Sequence, residues 1–401
     1  MNKRLLSQES LISCGDPLPI SVWDKRVEVE ESPYFWRGEP KIFEPLEPVQ
    51  GNPTVVELFC GAGGTSLGFH QAGFNIILAI DIHSPSVETF RQNHRSAAAI
   101  LGDIQLISQE TVFEILKGRH ICVLIAGVPC QGFSLSNRKR YEKDKRNYLF
   151  LEFVKWVKLL KPTAVILENV PGLKKTANGA FVRAIKEAIE DAGHYAVESR
   201  TLNAAHFGVP QLRERIFFVG LPRGIRFSWP KPTHGPGTKN RLLSVKDAIG
   251  DLPPLEPGEI KTRYEKPPLC EYQRLMRQGS KCLKNHTAPN HPPSTIQKIA
   301  QTHPGQPIYP RFTQRIRLSW DDPSPTQISG GIRPQFQLGH PSQPRGLSVR
   351  ERARIQSFPD IFEFFGGTVQ GRVQTGNAVP PILAKSLAMS LREELERQGL
   401  C

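Results

Sequence analysis

The chain has 401 residues, 39% of them hydrophobic, and a formal net charge of +14 at neutral pH. That length allows two domains or one domain with a large insertion, and the basic surplus favours a polyanionic partner, most simply nucleic acid. No stretch is long and apolar enough to span a membrane, and the amino terminus lacks the apolar core of a secretory signal, so an intracellular, soluble protein is expected.

Residues 1–52 hold six prolines and nine acidic against six basic residues, with no sustained periodicity. They read as an irregular arm, with Trp23, Tyr34, Phe35 and Trp36 as its packing candidates. Residues 53–220 alternate strand and helix signals. Strands are predicted at Thr54–Phe59, Ile76–Ile80, Ile121–Ala126, Ala164–Leu167 and Arg215–Val219, and helices around 64–72, 84–94, 147–160 and 178–192. Short apolar strands alternating with helices indicate a doubly wound α/β sheet with helices on both faces.

Residues 221–344 differ. They hold 20 of the 35 prolines, and 18 Lys and Arg against 8 Asp and Glu. Loop-rich, basic material of this kind reads as a smaller recognition domain. Residues 345–401 become regular again. Ser348–Phe358 is basic and amphipathic, and Pro380–Gln398 reads as a closing helix with proline at its start and Gly399 after its end. The seven cysteines (Cys14, Cys60, Cys122, Cys130, Cys270, Cys282 and Cys401) are scattered and form no CxxC pair. That spacing argues against a disulfide framework and against a structural zinc site, and fits a reducing compartment.

Several short blocks carry chemistry. Phe59-Cys-Gly-Ala-Gly-Gly-Thr-Ser-Leu-Gly68 follows a strand and opens a helix, where Gly61 and Gly63 allow close backbone approach to a ligand. Asp81, followed by Ile82, ends the next strand, and Asp103 sits in Leu101-Gly-Asp-Ile104. An acid after the second strand of a dinucleotide-type fold commonly accepts from a ribose, although each aspartate alone is more often an ordinary turn or cap residue. Gly127-Val-Pro-Cys-Gln-Gly-Phe-Ser134 puts Cys130 at the carboxyl end of a buried strand. There it is either a nucleophile or a small apolar filler. Glu168 ends another strand and is either a cap or ion-pair partner, or an acid facing the same pocket. Gln211, Arg213 and Arg215 alternate, so an extended strand would point them to one face. Such arginines hold carbonyl or phosphate oxygens, or brace loops.

Taken together, these blocks resemble the cytosine-C5 DNA methyltransferases. The order Glu57-Leu-Phe-Cys-Gly-Ala-Gly-Gly, Asp81, Gly102-Asp-Ile, Val128-Pro-Cys-Gln-Gly-Phe-Ser, Glu168-Asn-Val, Gln211-Leu-Arg-Glu-Arg matches that family's motif order. Arg350-Glu-Arg-Ala-Arg-Ile-Gln-Ser-Phe-Pro359 and Gln374-Thr-Gly-Asn-Ala-Val-Pro380 follow after the variable region. The resemblance covers roughly 53–220 and 312–395 and omits the arm and most of 221–310.

The resemblance implies an S-adenosylmethionine-dependent methyltransferase sheet of Rossmann-like type. It places Phe59 on the adenine, Asp81 on the ribose hydroxyls, and Asp103 with Ile104 at the adenine edge. Ile82 and Leu149 line the same pocket, and Pro129, Asn377 and Val379 lie toward the methionine half. Many family members carry Glu at the position of Asp81, one methylene longer. Cys130 would be the nucleophile on C6 of cytosine, Glu168 the acid at N3, and Arg215 the group holding O2. Arg213 would complete the catalytic set or brace its loop, and Gln131 and Ser134 would touch the DNA around a flipped-out base. Asn377 could act only if the C-terminal segment folds back on the first domain. The implied partner is double-stranded DNA, and the chain is read as a cytoplasmic prokaryotic monomer of the restriction-modification type, in which a cognate endonuclease cuts the same site. An RNA-acting branch shares most motifs but usually differs after the Pro-Cys pair. A dead, merely DNA-binding relative would not need intact Cys130, Glu168 and Arg215.

Overall fold

Residues 33–48, 51, 53–129, 149–310, 312–329 and 337–401 are described by the computed structural model. The arm contributes β1 (Lys41–Phe43). Then come β2 (Thr54–Leu58), α1 (Gly64–Gln71), β3 (Asn75–Asp81), α2 (Ser84–Asn93), β4 (Ala98–Leu101), α3 (Gln109–Leu116), β5 (Val123–Gly127), α4 (Phe150–Leu160), β6 (Ala164–Asn169), α5 (Ala180–Ala192) and β7 (Tyr195–Asn203). β8 (Gln211–Leu212) and β9 (Glu214–Pro222) complete this part.

One eight-stranded sheet runs in the order β1-β4-β3-β2-β5-β6-β9-β7. Strands β4, β3, β2, β5 and β6 are parallel to one another, whereas β1 joins β4, β9 joins β6 and β7 joins β9 antiparallel. Period-two alternation explains the central strands, which are apolar throughout. Val56, Leu58, Leu124, Ala126, Val165 and Leu167 face one core, with the apolar sides of α4 and α5. Val55, Val123, Ile125 and Ile166 face the other, with Phe69 of α1 and Phe90 of α2. The sheet is therefore covered on both faces, as the alternation of elements predicted.

Glu57 interrupts this apolar pattern. It is 2% exposed, and its carboxylate accepts from the Ser66 hydroxyl of α1. Burial pushes its pKa from 4.5 up to about 7. A folded pKa above the unfolded one means that ionisation costs the folded state more than the free chain. The penalty, about 3 kcal/mol for a shift of this size, is complete above about pH 7 and fades toward pH 4.5. Glu57→Gln is therefore expected to raise the thermal midpoint at alkaline pH and to lose that advantage toward pH 4.5; a pH series of melting curves checks this.

Residues 221–344 contain short elements: α6 (Val245–Ile249), α7 (Glu271–Arg277), α8 (Pro293–Gln301), and the two-residue strands β10 (Ile316–Arg317), β11 (Ser324–Pro325) and β12 (Leu338–Gly339). After them come α9 (Val349–Ile355), α10 (Gly367–Asn377) and α11 (Pro381–Arg397). Val245, Ile249, Tyr272, Met276 and Leu318 share one apolar cluster with Leu347 and Ile355. Buried charge reinforces that junction. Arg354 of α9 grips Asp360 with two 2.6 Å bonds, and also reaches Asp251 at 3.1 Å and the Ala248 carbonyl at 3.0 Å. Ser348 and Glu351 form a reciprocal cap on the same helix.

α11 returns to the first domain. Leu383, Ala384, Leu387, Ala388, Leu391 and Leu395 are buried against the α1 side of the sheet, and each fully buried leucine contributes roughly 1.5–3 kcal/mol. This return pairs Cys122 with Cys401 in a disulfide across 279 positions. The reading against disulfide bonding is corrected to that extent. The spacing gave no sign of the bridge, because only the packing of α11 brings its two ends together.

Candidate active site

The carboxyl ends of β2, β3 and β4 open onto one cleft. After β2 the chain turns through Phe59 at φ 56° and Gly61 at φ 53°. The left-handed conformation is costly for phenylalanine, and strain of this kind collects at ligand sites. The Asp81 carboxylate fixes the turn: Oδ2 accepts from the Gly61 amide and Oδ1 from the His83 amide, both at 2.8 Å. Asp103 Oδ1 accepts from the Gln105 amide at 3.0 Å and so caps a short 3-10 turn.

Phe59, Ile80, Asp81, Ile82, Gly102, Asp103, Ile104, Pro129 and Leu149 line the cleft. These residues fit a purine nucleoside. Phe59, Ile80, Ile104 and Leu149 offer flat apolar sides. Asp81 keeps spare lone pairs after its two backbone bonds. Asp103 Oδ2 has no hydrogen-bond partner among the described residues and is free to accept. Seven of the nine were expected from sequence: Phe59, Asp81, Ile82, Asp103, Ile104, Pro129 and Leu149. Ile80 and Gly102 were not; they immediately precede the two aspartates, and that adjacency was the available signal.

Asn377 and Val379 do not line this cleft. Asn377 is the exposed last residue of α10, and Val379 is buried. The fold-back that Asn377 required is present. A Cβ on Gly64 would lie 2.5 Å from the Val379 carbonyl oxygen, so the absence of a side chain at 64 is what lets this segment reach the first loop. Gly63 carries the same loop at φ 90°.

The second half of the site lies between β5, β6 and β9. Gly127 pairs with Glu168 in register. A Cβ on Gly127 would sit 3.6 Å from Glu168 Oε2 and 3.7 Å from the Phe59 carbonyl oxygen. The acid and the cleft loop therefore meet around one backbone position, three residues before Cys130. Cys130, Gln131 and Ser134 lie outside the described residues. Arg215 Nε pairs with Glu168 Oε1 at 2.8 Å, with both side chains nearly buried. Burial raises the Glu168 carboxyl above its ordinary value, outweighing the pull of Arg215 and Arg213. The result is a carboxyl inclined to keep its proton beside a fixed guanidinium.

Arg213 takes another direction. It is fully buried, and donates 2.8 Å bonds to the carbonyls of Gln327 and Gly376. Gln211 joins the same junction by accepting from the Gln327 amide at 2.9 Å. The alternation read from sequence does bury Gln211 and Arg213 and half-bury Arg215, while Leu212 and Glu214 are exposed. Only Arg215 reaches Glu168; Arg213 braces.

A family profile described as C-5 cytosine-specific DNA methylase matches residues 53–393. The type II methyltransferase M1.HphI of Haemophilus parahaemolyticus is 36% identical over 347 residues, covering 84% of this chain and 85% of that protein. M.AgeI of Thalassovita gelatinovora is 30% identical, covering 84% of this chain and 99% of its own length. Among solved structures, a DNA modification methyltransferase encoded within an Escherichia coli prophage superposes with a TM-score of 0.71 at 25% identity, covering 86% of this chain and all of that one.

Proposed function

The chain belongs to the C-5 cytosine-specific DNA methylase family, and from that premise we propose how its own residues carry out methylation of cytosine C5 in DNA. S-adenosylmethionine, the co-substrate of this chemistry, supplies the methyl group as an electrophile. Phe59, Ile80, Ile104 and Leu149 would hold its adenine, Asp81 the ribose hydroxyls, and Asp103 the adenine edge. The target base is out of reach inside a duplex and is flipped out. The Cys130 thiolate adds to C6, and a C–S bond forms as the ring electrons move toward N3. Glu168 delivers a proton to N3, and Arg215 steadies Glu168 and the cytosine O2. C5, now enamine-like, takes the methyl group. Loss of the C5 proton to a base then expels Cys130, and N3 returns its proton to Glu168, which restores the ring.

The observation that carries this reading is the Glu168–Gly127–Phe59 meeting point. It sets a buried carboxyl whose pKa burial raises and the cleft loop around one backbone position, on the strand that leads to Cys130. We further infer that 221–344 reads the duplex sequence, that Gln131 and Ser134 contact the DNA beside the flipped base, and that the chain acts as a monomer in the bacterial cytoplasm. The type II relatives support a role in protecting host DNA from a cognate endonuclease.

Incubation with duplex DNA and labelled S-adenosylmethionine, followed by nucleoside mass spectrometry, tests the function. The label is expected in 5-methylcytosine; label in adenine, at cytosine N4, or in RNA alone would contradict it. Asp103→Asn keeps the cap acceptor but removes the charge. It is expected to weaken S-adenosylmethionine binding by about 1.5–3 kcal/mol, measured by calorimetry on the free protein.

A further inference from the structure

The family profile begins at residue 53, yet the preceding segment is built into the back of the cofactor cleft. The Trp36 amide donates to the Ile82 carbonyl at 2.8 Å, and the Ser84 amide to the Tyr34 carbonyl at 2.9 Å. Phe35 forms an antiparallel bridge with His83 between them. Residues 34–36 thus make a short ladder on 82–84, directly after Asp81. A few residues later β1 pairs with β4, Lys41 opposite Leu101. Pro40 then lies behind Gly102: a Cβ at 102 would sit 3.0 Å from Pro40 Cβ and 3.1 Å from its Cα.

Ile82 and Gly102 both line the cleft. One continuous segment therefore clamps two walls of the cleft from outside without entering it. The clamp is stiffened internally. Trp36 Nε1 donates to the Glu39 carbonyl at 2.7 Å, and Lys41 Nζ lies 3.7 Å from the Trp36 ring centroid. His83 links it onward. Its ring meets Tyr34 and Phe35 edge-on at 6.0 and 6.1 Å and shares a 3.1 Å bond with Gln370 of α10, while its backbone amide holds Asp81.

We propose that Tyr34–Phe43 is a positioning element for the methyl donor: by fixing Ile82, His83 and Gly102 from behind, it holds the ribose and adenine walls in their binding geometry. The inference rests on the reading of the cleft as the S-adenosylmethionine site. A segment that merely covered the sheet edge would lower stability but leave cofactor affinity alone.

The test is calorimetry with S-adenosylhomocysteine on the full chain carrying Trp36→Ala, and separately Phe35→Leu, which removes the ring contact but keeps apolar volume. The dissociation constant should rise about fivefold or more in both, while affinity for duplex DNA without cofactor stays within about twofold. Gly102→Ala should weaken S-adenosylhomocysteine binding similarly, and Pro40→Gly in the same chain should recover part of it. If Trp36→Ala fails to fold, Phe35→Leu and the Pro40–Gly102 pair decide. Variants with lower melting points but wild-type affinity for S-adenosylhomocysteine would overturn the proposal. Wild-type protein that binds no S-adenosylhomocysteine would instead sink the cofactor reading itself.

Discussion

Glu168→Gln is expected to slow methyl transfer by about 10²–10⁴-fold, the range that general acid catalysis supplies. Glutamine keeps the size of the side chain, and its amide oxygen can still accept from Arg215 Nε, which now stands 2.8 Å from the carboxylate. It cannot deliver a proton. The wild-type carboxyl can, because burial holds its pKa above the ordinary 4.5 despite Arg215 and Arg213. The sign follows. The protonated form is the competent one, so wild-type turnover should fall as pH rises through the raised pKa, and the variant should lose that dependence. Single-turnover methylation measures the rate, and calorimetry with S-adenosylhomocysteine measures binding, which should stay nearly intact. Equal loss of both would make Glu168 a structural residue.

Arg354→Met should destabilise the protein by about 3–5 kcal/mol, the cost of stranding buried charge. Arg354 is fully buried, as are Asp251 and Asp360. Burial alone would raise the Asp360 carboxyl, but the hydrogen bonds and charge of Arg354 more than offset it and hold it below its ordinary range. Methionine fills similar volume and leaves Asp360 without its main counter-charge, while Asp251 keeps its ion pair with Arg277. Asp360 keeps the Tyr264 hydroxyl at 2.6 Å and Arg350 at 3.7 Å, a weaker set than the two 2.6 Å bonds it loses. The expected readout is a lower denaturant midpoint. Because Arg354 joins 248–251 to the chain around 360, loss of cooperativity between those regions should accompany it. An unchanged midpoint would mean the pair contributes nothing net.

The sheet was legible because its central strands are buried on both faces and read as apolar runs. β7 was not. Glu198, Ser199 and Arg200 lie within it, so it lacks an apolar stripe on its half-exposed face. α10 was missed because Gly367–Asn377 has no apolar repeat, being held by Gln370 and Gln374 through polar bonds to His83 and Thr89. Most of the cleft residues were legible as motifs, since all but Leu149 sit within a few positions of a strand end. The partners of Arg213 were not, because Gln327 and Gly376 lie 114 and 163 positions away. Alternation predicts a direction, but long-range closure decides what lies there. The arm carried aromatic residues without a pattern, and pairing with 82–84 places Tyr34, Phe35 and Trp36, while Trp23 lies outside the described residues.

The most direct test of the whole account uses a long duplex synthesised with 5-fluorocytosine in place of cytosine, so that any target sequence contains the probe. Fluorine cannot leave as a cation, so once the methyl group has moved to C5 the C6 adduct cannot eliminate. With S-adenosylmethionine present, the protein should become covalently joined to the duplex, and peptide mass mapping should place the bond on Cys130. The Cys130→Ala protein should form no adduct and transfer no methyl group. An adduct on another residue, or methyl transfer by Cys130→Ala, would contradict the account.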